Sequence, residues 1–231
     1  MEAIVLAGGL GTRLAARLDG IPKPMAPVAG RPFLEIVLGQ LKKAGYVRVV
    51  LSVGHLHPVI ESHFGAVYRG LNVDYAIEQQ PLGTGGAIRR ALGRTVEDDV
   101  LVLNGDTFLE VDYKAMAATQ TAQGTALTMA VTWREDVGRY GGVRLEGDRV
   151  AGFEEKGRTG AGWINAGSYI VRRDLRWPAG LPEKFSFERD FLMLEIARLR
   201  PAAFRSEGIF LDVGVPEDLD RAQTELAEFA V

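Results

Sequence analysis

Short apolar runs rich in Val, Ile and Leu alternate along the chain with segments whose apolar residues recur every three or four positions. That alternation predicts an α/β fold: a mixed, mostly parallel sheet with helices on both faces. The first run, 3–7, ends in glycines. In 33–44, Phe33, Ile36, Val37, Gln40, Leu41 and Ala44 track one face, which predicts a helix stopped by Gly45. Further strands are predicted at 47–53, 72–77 and 100–103. Helices are predicted at 58–64 and 84–92, the second entered through Pro81-Leu82-Gly83. Beyond Asp106 the pattern loosens. It predicts helices at 113–120, 187–199 and 216–229, and strands at 126–132, 164–171, 202–206 and 209–211. Residues 142–145 and 149–153 flank Gly147-Asp148, a favoured hairpin turn pair.

Of 231 residues, 47% are hydrophobic and 25% charged, the make-up of an ordinary globule rather than a disordered or fibrous chain. The length fits one large domain or two small ones, and no linker or repeat divides it. One domain over 1–231 is expected, its second half adding antiparallel strands. Lys and Arg number 27 against 30 for Asp and Glu, a net charge of −3 with both signs scattered. No basic stripe marks a nucleic-acid partner. Cysteine is absent, which excludes disulfides, thiolate metal sites and a cysteine nucleophile, and makes a reducing cytoplasm the expected compartment. Met1-Glu2 opens with an acid and the run after it is short, so no signal peptide is read. The longest uncharged stretch, 115–133, is broken by Gly124 and by Thr and Gln, so no membrane association is expected. The anomaly is 28 glycines, where average usage gives about 16, and they are clustered.

The densest cluster, Ala7-Gly8-Gly9-Leu10-Gly11-Thr12-Arg13-Leu14, follows the first strand directly. Glycines let backbone N–H groups approach an anion, and this end of a sheet is where α/β folds bind ligands. A dinucleotide fingerprint would need a third glycine where Leu14 stands and an acid ending the second strand; a P-loop would need Gly-Lys-Ser/Thr. What remains is a glycine loop carrying Arg13, then Pro22-Lys23-Pro24. Both cations could meet a polyphosphate, or the loop could be a plain turn. Asp106 and Asp212 each end an apolar run at the sheet's C-terminal edge. They could share Mg²⁺ with phosphate oxygens, or each could cap a loop or helix. Glu154-Glu155-Lys156 by itself reads as a solvated charge run. Asn165 and Gly167 are either hydrogen-bonding groups on a pocket wall or strand-end residues. His55, His57 and His63 show no carboxylate at ligand spacing, and Trp133 and Trp163 are expected in the core.

Taken in order, seven segments resemble the sugar-1-phosphate nucleotidyltransferases. They are Leu6 to Leu14, Pro22-Lys23-Pro24-Met25-Ala26-Pro27-Val28, Pro81-Leu82-Gly83-Thr84-Gly85-Gly86-Ala87, Asn104-Gly105-Asp106, Phe153-Glu154-Glu155-Lys156, Ile164-Asn165-Ala166-Gly167 and Leu211-Asp212-Val213-Gly214. They span nearly the whole chain. The resemblance implies a Rossmann-like fold and Mg²⁺-dependent transfer of a nucleoside monophosphate from an NTP to a sugar 1-phosphate. It implies that Arg13, Lys23, Asp106 and Asp212 are catalytic, with Asp106 and Asp212 on the metal. It places Leu6, Ala7, Gly8, Gly9, Gly11, Thr12, Arg13, Lys23, Glu78, Pro81, Gly83, Thr84 and Asp106 around the nucleotide, in the half 1–110. Gly105, Gly141, Glu155, Lys156, Asn165 and Gly167 match positions that hold the sugar phosphate, most of them in the half 111–231. Gly157 departs from the proline that many members carry after the lysine. The chain stops soon after the catalytic domain, so the left-handed β-helix of some relatives is not expected.

Within the family the wording Leu-Gly-Thr-Gly-Gly-Ala and Asn-Gly-Asp-Thr-Phe is most similar to members that transfer GMP from GTP to D-glycero-α-D-manno-heptose 1-phosphate. Glu78 occupies the base-reading position, five residues before Gly83. Guanine presents N1–H and N2–H₂ on one edge, and a carboxylate can accept both, whereas uracil and thymine offer one N–H. The alternatives are mannose 1-phosphate as acceptor, a uridylyl or thymidylyl transfer to another hexose 1-phosphate, or a silent sugar-nucleotide sensor. A sensor could lose Arg13, Lys23, Asp106 or Asp212, yet all four are present. A nicotinamide dehydrogenase lacks its fingerprint here. A monomer or small homo-oligomer is expected.

Overall fold

Burial on both faces is what the continuous apolar runs encode. In the computed structural model, β1 (Glu2–Leu6) sends Ala3 and Val5 into one core and Ile4 into another. The structure describes residues 1–9, 11, 14–18, 20–154, 157 and 159–230. After β1 come α1 (Ala15–Leu18), a 3₁₀ turn at Lys23–Met25, the short strands β2 (Pro27–Val28) and β3 (Arg31–Pro32), and α2 (Phe33–Lys43). Next are β4 (Arg48–Val53), α3 (His57–Phe64), β5 (Val67–Tyr68), β6 (Leu71–Ile77), α4 (Gly83–Leu92) and β7 (Asp99–Asn104). The second half runs β8 (Thr107–Leu109), α5 (Tyr113–Gln123), β9 (Leu127–Arg134), β10 (Val143–Glu146), β11 (Arg149–Phe153) and β12 (Gly162–Arg172). A π-helix at Phe187–Leu192 continues into α6 (Met193–Leu199). Then follow β13 (Ala202–Ser206), β14 (Phe210–Asp212), α7 (Pro216–Glu225) and a 3₁₀ turn at Ala227–Phe229.

Ten strands form one sheet in the order β10-β11-β13-β9-β12-β7-β1-β4-β6-β5, so both halves of the chain share it. Strands β7, β1, β4 and β6 are parallel, as are β9 and β13, and the remaining pairs are antiparallel. Helices α2, α3, α5 and α7 pack on one face through residues such as Phe33, Phe64, Met116 and Leu219. Helix α4, the π-helix and α6 pack on the other through Ile88, Phe187, Phe191 and Leu199. The chain leaves β1 for β4 on one side and reaches β7 on the other. The crevice at the carboxyl ends of these strands is therefore a topological switch point, where open α/β sheets bind ligands. Among the described residues, no helix is long and apolar enough to cross a membrane.

The structure corrects five expectations. Asp212 ends a strand, but of a separate two-stranded ribbon in which β14 pairs with β8, not of the main sheet. The partner strand β8 has only three residues, too few for periodicity to register, so the pairing of the strand predicted at 209–211 was not legible. The helix at 187–199 begins as a π-helix, and the closing helix ends at Glu225 before the last 3₁₀ turn. Trp133 is 46% exposed because β9 runs past the core at its far end, where Trp133 meets Trp163 edge-on. His57 and His63 do have carboxylate partners, Glu61 at 2.7 Å and Glu35 at 2.6 Å, one each.

At the opposite, N-terminal end of the parallel strands, the buried carboxylate of Glu2 accepts from Val96 N at 2.6 Å and Glu97 N at 2.9 Å and pairs with Arg48. Arg48 also reaches Asp74 at 3.1 Å, so the cluster ties β1, β4 and β6 to the loop before β7. Burial alone would raise the Glu2 pKa, but the two amides and Arg48 outweigh it and hold the group below its ordinary value. A depressed pKa contributes stability that is present above the unfolded-state value and lost as pH falls through the folded one. Glu2→Gln is therefore expected to cost about 1–3 kcal/mol at pH 7. The gap to wild type should shrink below about pH 4.5. Urea unfolding of both proteins at neutral and acid pH measures this, and a gap that widens in acid contradicts it.

Candidate active site

Two cavities open at the carboxyl ends of the central strands and share a wall. The smaller, about 260 Å³, is lined by the loop after β1, by Glu78 and by the entry to α4. The larger, about 420 Å³, is lined by residues after β7, around 139–143, along β12 and on the π-helix. Lys23, Asn104 and Asp106 face both cavities.

Charge is organised around that shared wall. Lys23 begins the 3₁₀ turn after Pro22, and its Nζ lies 2.5 Å from Asp106 Oδ2. Its side chain is only 12% exposed, so this contact is sheltered from water. Gly11 lies against it, where a methyl would stand 3.0 Å from Lys23 Cβ. The ribbon brings Asp212 opposite Thr107, next to Asp106, and Val213 N donates to Asp106 O at 2.9 Å. A methyl on Gly214 would crowd both Asp212 Oδ1 and Lys23 Nζ, which places these two groups beside the same glycine. Arg139 donates to Asp212 Oδ2 at 3.1 Å and pairs with Asp218 at 2.6 Å. Burial would lower the Arg139 pKa, but Asp218 and Asp212 raise it, so the guanidinium stays charged.

Glu78 follows β6 and is half-buried on the wall of the smaller cavity. Its Oε1 accepts from Ser52 Oγ at 3.1 Å and its Oε2 from Leu82 N at 2.9 Å. Gly8 makes room for it, since a methyl there would stand 3.0 Å from Oε1. Leu6, Gly9, Pro81, Gly83 and Thr84 line the same cavity. Ala7 is buried, donating its N–H to Ser52 O at 2.7 Å, and neither it nor Gly11 lines either cavity. Gly105 also lies beneath the site, where its N–H donates to Leu6 O at 2.9 Å and a methyl would be 2.6 Å from that oxygen.

The second glycine cluster has a packing reason. Gly83 has φ +68°, and a methyl on it would lie 2.6 Å from Phe185 O; on Gly86 it would lie 2.4 Å from Glu183 O. The segment 183–187 lies across the start of α4. Phe185 O accepts from Gly85 N at 3.0 Å, Phe185 N donates to Leu82 O at 3.0 Å, and Phe187 N donates to Thr84 Oγ1 at 2.9 Å. That segment leads directly into the π-helix on the other cavity.

Gly141, Asn165 and Gly167 line the larger cavity. Gly167 has φ +69°, and Asn104 Nδ2 occupies the space where a side chain would be. Thr12, Arg13, Glu155 and Lys156 lie outside the described residues. Sequence reasoning passed over Arg139 and Glu188, both on the larger cavity. The signals available were an arginine just before Gly141-Gly142 and an acid just inside a helix capped by Ser186, whose Oγ accepts from Arg189 N at 3.2 Å.

A nucleotidyl transferase family model matches residues 2–228. The D-glycero-α-D-manno-heptose 1-phosphate guanylyltransferase of Aneurinibacillus thermoaerophilus is 43% identical over 229 residues, covering 99% of this chain and all of that protein. The enzyme of the same name from Campylobacter jejuni is 42% identical, covering 94% of this chain and 96% of its own. The crystal structure of HddC from Yersinia pseudotuberculosis complexed with GMP-PN superposes with a TM-score of 0.84 at 36% identity. It covers 97% of this chain and 99% of that one.

Gly83→Ala is expected to destabilise the fold by about 1–3 kcal/mol or more, through overpacking against a backbone carbonyl and a strained φ. Gly9→Ala, with nothing within 4 Å of the added methyl, is expected to leave stability unchanged. Chemical unfolding of the two variants decides it, and equal stabilities contradict the packing role of Gly83.

Proposed function

This chain belongs to the nucleotidyl transferase family, and we propose that it transfers GMP from GTP to D-glycero-α-D-manno-heptose 1-phosphate. The observation that carries this reading is the wall of Lys23, Asn104 and Asp106 shared by two cavities of different character. One cavity begins at a glycine loop and Glu78, as a nucleotide requires. The other carries hydrogen-bonding groups and three cations, Lys23, Arg139 and Arg189, as a sugar phosphate requires. Full-length similarity to two enzymes named for this reaction supports the choice of sugar and base.

In this reading a phosphate oxygen of the sugar 1-phosphate attacks the α-phosphorus of GTP. The new P–O bond forms as the bond to the β-phosphate's bridging oxygen breaks, and pyrophosphate leaves with that electron pair. A phosphate monoester has its second pKa near about 6, so the nucleophile is already ionised at neutral pH and no general base is needed. The obstacle is repulsion: two unit charges 4 Å apart cost about 4 kcal/mol even at an effective dielectric of 20. Lys23 and Arg139 supply opposing charge at the junction, with Arg13 and Lys156 added by the family resemblance. Two carboxylates suit Mg²⁺, which commonly takes one or two carboxylates and completes its shell with phosphate oxygens and water. Among the described residues no cluster of three ligating side chains competes for that role. Asp106 and Asp212 would hold the ion, which when bound would neutralise charge on the phosphates. Ser52 and Leu82 fix Glu78, whose oxygens each keep a second lone pair for guanine N1–H and N2–H₂.

The test is pyrophosphate release with each of the four common NTPs against heptose, mannose, glucose and N-acetylglucosamine 1-phosphates. GTP with the heptose should give the highest kcat/KM, and a different best pair overturns the assignment. Asp106→Asn or Asp212→Asn should lower turnover roughly 10²–10³-fold and weaken Mg²⁺ binding measured by calorimetry in the presence of GTP. Near-normal values in both variants would sink the metal role. Glu78→Gln should narrow the preference for GTP over UTP by about tenfold. An unchanged preference removes Glu78 as the base reader.

A further inference from the structure

Glu188, a carboxylate on the wall of the larger cavity, has no task in the transfer reading. Glu188 is the second residue of the π-helix Phe187–Leu192 and is half-buried. Its Oε1 accepts from Asn165 Nδ2 at 2.7 Å and from the Tyr169 hydroxyl at 3.4 Å. Asn165 Nδ2 spends its other hydrogen on Tyr169 Oη at 2.7 Å, and Asn165 Oδ1 accepts from Gly167 N at 3.1 Å. Both donors of the Asn165 amide are thus consumed inside the cluster. Tyr169 is fully buried, and burial, with Glu188 beside it, keeps its phenol protonated and therefore a donor. No described residue bonds Glu188 Oε2.

A half-buried carboxylate oxygen on a cavity wall needs a donor. An ionised phosphate has none and is repelled by the charge, whereas sugar hydroxyls are donors. The larger cavity therefore carries groups of opposite preference. Lys23, Arg139 and Arg189 attract a phosphate, whereas Glu188 repels it and accepts hydroxyls. The backbone around Glu188 is held firmly. Phe187 and Phe191 are fully buried, Phe187 N is tied to Thr84, and Asp190 Oδ2 accepts from Ser186 N at 2.7 Å. A π-turn carries one residue more than an α-turn and recurs at functional sites.

Building on the transfer reading, we propose that Glu188 is the specificity-determining contact to the sugar, its Oε2 accepting a hydrogen bond from a ring hydroxyl. Asn165 and Tyr169 hold the other oxygen and so fix the direction of the carboxylate. Glu188→Gln keeps an oxygen for Asn165 and Tyr169 and replaces the acceptor at Oε2 by a donor.

The substrate for the test is the heptose 1-phosphate, or whichever sugar 1-phosphate turns over best in the screen, with its monodeoxy analogues. Glu188→Gln should raise KM for the sugar phosphate roughly 10–100-fold, the range of one charge-assisted hydrogen bond. KM for GTP should stay within about twofold, and Tm within about 2 °C. In the wild type one monodeoxy analogue should show the same loss, and in Glu188→Gln that analogue should lose nothing further. Should Glu188→Gln fold poorly, Glu188→Asp, which retracts the charge, should show the same pattern to a smaller degree. An unchanged sugar KM, equal losses for GTP and sugar, or deoxy losses that simply add in the variant would each overturn the assignment. A best sugar other than the heptose would correct the proposed substrate and leave the role of Glu188 standing. No turnover with any sugar phosphate would overturn both.

Discussion

The ion pair between Lys23 and Asp106 is the contact on which the rest of the site depends. In the proposed reaction Asp106 stands beside cavities that would accept two phosphorylated molecules, and without a counter-charge these groups would repel one another. The lysine arrives from the turn after Pro22, and the aspartate, 83 residues later, from the end of β7. Gly11 and Gly214 are small because bulk at either would displace its side chain or the neighbouring carboxylate. Arg139 repeats the arrangement on Asp212, and Asp218 on α7 holds the guanidinium from behind. Each acid at the junction therefore has its own base, and each base is braced by a residue distant in sequence.

The glycines divide by cause. Gly8 and Gly9 line the smaller cavity, where the absence of a side chain leaves space for a ligand. Gly83, Gly85 and Gly86 are instead required by the backbone and ring of Phe185 and by Glu183 O. Sequence alone gives both clusters the same appearance. What separates them is a neighbour about one hundred residues away, which no local pattern records.

The same reasoning explains how much could be read from the chain. The main-sheet strands with six or more residues and helices α2 to α5 announce themselves through apolar spacing, and Gly45 and Gly147 mark their turns where expected. Lys23, Asp106 and Asp212 were legible because they sit in segments whose order resembles a known family, and Glu78 because it stands five residues before Gly83 in one of them. Arg139 and Glu188 were not, since an arginine before two glycines and an acid early in a helix have ordinary surface explanations. Their partners, Asp212, Asp218, Asn165 and Tyr169, become partners only through tertiary folding. Strand β14 was legible but its partner β8 escaped for lack of length, and their pairing changed the account of how Asp212 reaches the site.

That ribbon also sets a timetable for the newborn protein. Strand β8 leaves the ribosome long before β14, and about one hundred residues must be made before Phe210, Leu211 and Asp212 can lie against Leu109, Phe108 and Thr107. An emerging chain can lay down β1, β4, β6 and β7, which are complete by residue 104. It can bring Lys23 to Asp106 while the second carboxylate does not yet exist. Chains tend to fold from the N-terminus as they are synthesised, so the half that carries Lys23, Glu78 and Asp106 takes shape first and Asp212 arrives about one hundred residues later. A truncated product ending before the ribbon closes would keep most of its sheet and lack the second acid at the junction.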